Sequence, residues 1–230
     1  MAALKGEKRF NTFLTVLFAL ISIFWVVPVI IVVFNAFKLN SYVKTNTFAL
    51  PVGEMWAGFK NFVTGMTMGN YNFMKSVFYS FYITIFSTAL ILLCTSMSAW
   101  YVSRIDSIVS RIVYYLCVFS MVVPFQMVMF TMSKMANILH LDNPIGIILV
   151  YIGFGAGMAT FMFAGFIKSI PLSMEEAAMI DGATPPQIFF MVIVPMLKSI
   201  GITIAILEIM WVWNDYLLPY LTIGTDYKTI

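Results

Sequence analysis

Apolar positions dominate this chain in five long blocks, roughly Phe13 to Phe37, Val77 to Trp100, Ile112 to Met132, Ile145 to Phe166 and Ile200 to Tyr220. Each block is about 20 residues or longer, enough for a helix to cross a hydrocarbon core of ~30 Å. The pattern predicts an all-α, polytopic membrane protein with five crossings, so that the two ends lie on opposite sides. Composition agrees: 61% of the 230 residues are hydrophobic and only 10% charged, against roughly 25% charged in a soluble domain. The basic Lys5, Lys8 and Arg9 precede an apolar run without a small-residue cleavage site, which predicts a retained first span rather than a signal peptide. With the N-terminus inside, seven of the thirteen Lys and Arg fall inside, among them all three arginines, Arg9, Arg104 and Arg111. That orientation is the expectation.

Between the first two spans, residues 38–75 mix Pro51, Gly53, Gly58, Gly65, Gly69 and asparagines with Trp56, Phe59 and Phe62. An outside loop with structure of its own is expected, serving as a lid or docking surface, or as a connector packed on the helix ends. The second block is dense in hydroxyls, Ser76, Ser80, Thr84, Ser87, Thr88, Thr95, Ser96 and Ser98, which bond helix to helix or line a wet path. In the third, Pro124 frees a carbonyl and Gln126 is costly in lipid, so both should face protein or a cavity. Gly153 and Gly157 in the fourth have the G-x-x-x-G spacing of close helix approach.

Covalent chemistry and metal binding find little support. Cys94 and Cys117 lie in apolar stretches, where burial accounts for them, and His140 has no ligand cluster around it in sequence. No G-x-x-x-x-G-K-[ST] phosphate loop occurs, so ATP is not expected to bind here by that route.

The informative stretch runs from Ser169 to Pro195, SIPLSMEEAAMIDGATPPQIFFMVIVP, expected on the cytoplasmic side. Ser173 and Glu176 have capping-box spacing for a short helix, and Gly182 suits its left-handed closure. Thr184, Pro185 and Gln187 supply the cap, first-turn proline and acceptor of a second helix. A helix of about nine residues is marginal in water alone and must dock. Small Ala177 and Ala178 would let a partner approach closely, with Glu175, Glu176 and Asp181 presenting charge at the rim.

Glu176-Ala177-Ala178, three residues, Gly182, nine residues, then Val-Ile-Val-Pro ending at Pro195 resembles the EAA motif (EAA-x3-G-x9-I-x-L-P) of ABC importer permeases. VVPFQ at Val122 to Gln126 and WNDYLLP at Trp213 to Pro219 look like segments of the smaller permease subunit of carbohydrate importers, the group that includes the maltose importer. The resemblance covers most of the chain from about Ser76 onward. It implies a single transmembrane permease domain over residues 1–230 with the type I importer fold, whose sixth span would be missing because the chain ends at Ile230. It further implies that Glu176, Ala177, Ala178 and Gly182 form a coupling helix seated in an ATPase cleft. The partners implied are a second permease, two ATP-binding subunits holding ATP and Mg²⁺, an external sugar-binding protein and a sugar, in a bacterial cytoplasmic membrane. No cofactor, metal, nucleic acid or catalytic residue is implied for this chain itself.

Substrate contacts are sought where aromatic faces meet hydrogen-bonding groups. Trp211, Trp213, Asn214 and Asp215 combine both, ~20 Å along a helix from Lys198; an interfacial aromatic belt explains them equally. Glu208 sits near mid-span, where an ionisable group costs about 2.5–3.5 kcal/mol, and is expected to face a cavity or pair with a neighbouring helix. Gln126 is the second cavity candidate. A permease for a non-sugar solute, a secondary transporter and an intramembrane enzyme are the competing classes; the last lacks paired Asp, a Ser/His dyad or H-E-x-x-H.

Overall fold

The computed structural model describes residues 2–67, 73–224, 227 and 229. Gly69 of the first loop and the chain end at Ile230 lie outside the described residues. The chain divides into two compact units, Met1–Phe73 and Met74–Ile230, and the described residues of both are built almost entirely of helix.

In the first unit, α1 (Ala2–Ala36) contains the apolar stretch Phe10–Ala36, long enough to cross a membrane. Two short helices follow, α2 (Asn40–Thr45) and α3 (Lys60–Thr67), with a 3-10 turn at Gly53–Met55 between them. Lys38 organises this loop. Its stem is fully buried, and its ammonium donates to Asn35 Oδ1 at 3.2 Å and to the carbonyls of Asn46 and Thr47 at 2.6 and 3.1 Å. A buried ammonium is tolerated only when its donors find acceptors, and these three hold residues 46–47 against the end of α1. Phe37 stacks on Trp56 and meets Phe59 and Phe62 edge-on or tilted, so the loop has the small aromatic core expected from its composition.

In the second unit the predicted blocks map onto two continuous spans and two bent pairs. The continuous ones are α4 (Phe73–Arg104) and α7 (Gly146–Ile167). The third block is not one straight helix: α5 (Ile108–Val122) and α6 (Phe125–Ile138) meet at 111°. Pro124 is the reason, because it disfavours helical geometry in the residue before it, and Val123 is indeed extended, at φ −78° and ψ 111°. The fifth block divides at Asp215–Tyr216, and the second bend lies just before the block, at Leu197. A wide π-turn at Phe189–Ile193 and α10 (Val194–Met196) lead at 76° into α11 (Lys198–Asn214), and α12 (Leu217–Thr222) follows separately. Pro195 lacks the N–H that would close onto Met191, so the ladder loosens into a π-turn just before it.

α7 is the hub. Ile147, Tyr151, Ala159, Phe163, Ala164 and Ile167 are buried along it, packed with Ile83, Ile91 and Ala99 of α4 and Ile204 and Val212 of α11. Two of its glycines make close approaches to other helices, and only one of them, Gly157, belongs to the expected pair. A methyl group on Gly157 would lie 2.5 Å from Ser120 Oγ and 2.6 Å from the Cys117 carbonyl of α5, whereas one on Gly153 would meet nothing. Gly155 faces α4 and α11 instead: there a methyl would lie 2.7 Å from Ile91 Cδ1 and 2.9 Å from a Glu208 oxygen.

Gly157→Ala should therefore force α5 off α7 at a cost of about 1–3 kcal/mol, lowering the thermal unfolding midpoint in detergent by several degrees. Gly153→Ala should leave the midpoint unchanged; equal midpoints for the two variants would refute the close-approach assignment.

Candidate functional site

The segment from Ser169 to Pro195 forms two helices on a glycine joint, α8 (Ser173–Ile180) and α9 (Pro185–Ile188). Gly182 adopts φ +83°. Its N–H bonds the Met179 carbonyl at 3.0 Å and the Ala183 N–H bonds the Ala178 carbonyl at 3.0 Å, the paired closure of a Schellman motif. A methyl on Gly182 would find open space, so the demand for glycine is one of backbone conformation alone. Gln187 Oε1 accepts from both the backbone N–H and the hydroxyl of Thr184, each at 2.8 Å, so the second cap forms as its spacing predicted.

The start of α8 differs from expectation. Ser173 is inside the helix rather than capping it, and the N–H groups of Glu175 and Glu176 bond the Leu172 carbonyl at 2.9 and 3.1 Å. Leu172 already has helical geometry, at φ −62° and ψ −29°, so backbone carbonyls satisfy these amides and leave the capping box without a task.

Glu175 also departs from the rim position expected of it. Its carboxylate is buried, with Oε1 receiving Arg104 Nε at 2.7 Å and Oε2 receiving Trp100 Nε1 at 2.9 Å. The same Arg104 donates through Nη2 to the Ile170 carbonyl at 3.0 Å. Both carboxylate oxygens are satisfied, which is the condition for a buried ion pair to be tolerated; stripping away one partner typically costs about 3–5 kcal/mol. The Trp100 ring packs on Phe189 of the π-turn at 5.5 Å between centroids. Four side chains thus bind α4, α8 and the π-turn together.

What the segment turns outward follows from that anchoring. Glu176, Ala177, Asp181 and Gly182 are exposed, and Ile180, at 85%, is the most exposed large apolar side chain of the whole segment. Ala178 instead packs against the core. Pro195 lies inside α10 and is exposed. Exposed Met179 and Ile180, flanked by carboxylates and small residues, have the character of a protein-docking surface.

The remaining candidates are spread over the second unit. Trp211 meets Tyr151 of α7 edge-on at 5.5 Å, while Trp213 meets Phe81 of α4 at 5.0 Å. Asn214 Nδ2 donates to the Met210 carbonyl at 2.7 Å. Asp215 is engaged structurally, Oδ1 accepting the N–H groups of Leu217 and Leu218 at 3.0 and 3.2 Å and Oδ2 accepting the Tyr151 hydroxyl at 3.1 Å. Gln126 is exposed in the first turn of α6. Glu208 is only 1% exposed, and neither carboxylate oxygen has a hydrogen-bond partner among the described residues. The same holds for the hydroxyls of Ser87, Thr88, Thr160 and Thr222.

A sequence profile described as binding-protein-dependent transport system inner membrane component matches residues 91–227. The chain belongs to that family. Among relatives, the probable starch degradation products transport system permease protein of Thermoanaerobacterium thermosulfurigenes is 36% identical, over 95% of this chain and 77% of its own. The multiple sugar-binding transport system permease protein of Streptococcus mutans is 31% identical over 97% of this chain and 80% of its own. By fold, the chain is similar to a solved bacterial ABC transporter involved in the import of the acidic polysaccharide alginate, with TM-score 0.76 and 22% identity over 96% of this chain and 79% of that one. The two-helix knob between α7 and α11 carries the Glu176-Ala177-Ala178 triplet and Gly182 that resemble the EAA motif.

An L-residue with a branched Cβ resists the left-handed region by about 1–2 kcal/mol, a factor of roughly 5–30 in a local opening equilibrium. Gly182→Val should speed protease cleavage within residues 173–195 by that factor, and Gly182→Asn, which tolerates positive φ, should stay near the parent. Equal cleavage of the two variants would disprove the conformational requirement.

Proposed function

We propose that this chain is one of two permease subunits of an ATP-driven importer that passes a sugar or oligosaccharide from an external binding protein into the cytoplasm by alternating access. The observation that carries this reading is the knob itself: a short helix locked at Gly182, anchored from behind by Glu175, and turning Glu176, Ala177, Ile180 and Asp181 outward. A segment shaped in this way fits a groove on a partner that moves it. In this reading the partners are two ATP-binding subunits, which hold ATP and Mg²⁺, and a second permease. The membrane is a bacterial cytoplasmic membrane, with the N-terminus and the knob on the cytoplasmic face. The carbohydrate assignment is supported by relatives named for starch degradation products, multiple sugars and diacetylchitobiose.

Transport needs no covalent step. Closure of the ATPase pair on ATP displaces the knob, and the two permeases exchange an outward for an inward opening, a population shift driven by the ATPases' different affinity for the two arrangements. Along the path, Glu208 and Gln126 act as cavity groups that a polyhydroxylated solute meets in one of the arrangements. Trp211 and Trp213 offer ring faces near the outer end of α11, with Asn214 and Asp215 beside them. Glu208 is the strongest of these, since an unpaired buried carboxyl acquires partners only when the helices around it separate.

Capture of the ATP-binding subunit by this chain from co-expressing membranes should be lost on Glu176→Lys, which reverses charge on the exposed face without touching the Glu175 anchor. Capture of the ATPase at parental levels by that variant would overturn the docking assignment. Glu208→Gln should reduce uptake about tenfold or more while ATPase capture stays intact. Unchanged uptake across pH would instead assign Glu208 a purely structural role.

A further inference from the structure

Two routes lead from the knob into the membrane. The first runs through Gly182, α9 and the π-turn into α11, and it contains a glycine joint, a widened turn and a 76° bend. Each is a place where displacement at one end is absorbed by rotation rather than delivered to the other. The second passes from Glu175 directly to Trp100 and Arg104 and enters α4, an uninterrupted helix of 32 residues, ~48 Å long at 1.5 Å per residue. Trp100 and Arg104 are four apart, on one face of its last turns, and close on both oxygens of a single buried carboxylate. Arg104 reaches the Ile170 carbonyl as well, so α4 grips the chain on entry to α8 and one turn inside it.

The buried face of α4 is suited to movement. Ser87 and Thr88 have no hydrogen-bond partner among the described residues, Thr95 and Ser96 bond carbonyls of α4 itself, and near the helix end Ser103 donates to the Ala164 carbonyl of α7 at 3.5 Å. At one point where α4 crosses α7 beside Glu208 of α11, Ile91 lies against Gly155, a methyl against a residue without a side chain. Small and self-satisfied groups on a helix face permit the sliding displacement of shear motions.

We propose that α4 is the strut through which movement of the docked knob reaches the membrane interior, with Arg104 and Trp100 as the positioning residues that fasten it to Glu175. This rests on the ATPase-docking reading above. In it, nucleotide-driven motion of α8 drags the end of α4, and α4 shifts against α11 along its length, including the Phe81–Trp213 contact. The Gly182 joint lets α9 turn relative to α8, while the π-turn follows α4 through the Trp100–Phe189 contact.

The test uses the assembled transporter, both permeases and both ATPases, in proteoliposomes, with Cys94 and Cys117 replaced by Ser and a reporter Phe81→Cys at the α4–α11 contact. Labelling by a charged maleimide is timed without nucleotide and with AMP-PNP and Mg²⁺. In the parent, nucleotide should change the labelling rate about fivefold or more, the lower end of ordinary coupling between sites. In Glu175→Gln and Arg104→Gln the ratio should fall to near unity with the ATPase subunits still bound. The double variant should add nothing to either single one. Trp100→Phe, which keeps the ring against Phe189 and removes one donor, should give an intermediate ratio and serves if the charge variants do not assemble. A merely structural pair would alter labelling equally in both nucleotide states. A parent ratio near unity with the ATPases bound overturns the strut alone, as does a full parental ratio in all the variants. Variants that shed the ATPases would make the pair a docking element and also overturn it. A parent that retains no ATPase overturns the functional reading and the strut together.

Discussion

A single buried carboxylate decides how the functional segment sits. Glu175 lies one residue before the Glu176-Ala177-Ala178 triplet, and its two oxygens are taken by different residues of one distant helix. A charge removed from water must be matched almost completely, and this one is matched by a guanidinium and an indole N–H separated by one helical turn. That geometry fixes the rotation of α8 about its own axis. With Glu175 turned inward, its neighbour Glu176 necessarily turns outward, together with Ala177 and Ile180. The outer face of the knob follows from the inner anchor.

The remainder of the second unit reads as a set of departures from straight helices, each with a cause in sequence. Pro124 breaks the third apolar block at 111°, and Pro195 loosens the ladder into a π-turn and a 76° bend. Gly182 turns the chain between α8 and α9. Lipid would penalise these interruptions if their freed backbone groups faced the hydrocarbon, so they are retained only where protein or water meets those groups. α4 and α7 lack such breaks and are each continuous along their length. α7 is the axle, buried along half its residues, with Gly157 admitting α5 and Gly155 admitting α4 and α11.

Much of this was legible from the residues. The apolar blocks place α4 and α7 to within about four residues, because the bilayer's thickness imposes such lengths, while α1 begins eleven residues before its block and the third block covers two helices. Gly182 and the Thr184–Gln187 cap follow from local chemistry that a few neighbouring residues settle. What escaped was long range. Nothing local tells that Glu175 rather than Glu176 is buried, since both are acidic and adjacent; the choice is made by Arg104 and Trp100, 71 and 75 residues away. The one available signal was on α4, where a tryptophan and an arginine four apart at the end of an apolar span form a donor pair in want of an acceptor. Likewise Asp215 belongs to a turn and to Tyr151, a partner 64 residues distant, and the spacing of Trp211, Trp213 and Asn214 suggested a convergence that the helix divides between two neighbours.

That division bears on how a solute could be recognised. A tight sugar site needs ring faces and acceptors aimed at one volume, and the outer end of α11 aims its two indoles at different helices. In the proposed importer specificity does not have to reside in the permease, because the binding protein that would deliver the solute selects it first. The permease then needs a path that is weakly polar and briefly wet, and a deep site would slow release on the far side. Orphan hydroxyls on α4 and α7 and an unpaired Glu208 between them fit that requirement better than a preformed pocket would. Unsatisfied groups raise the energy of the packed arrangement, so in the proposed alternating cycle the same residues that leave it imperfect would lower the cost of parting the helices.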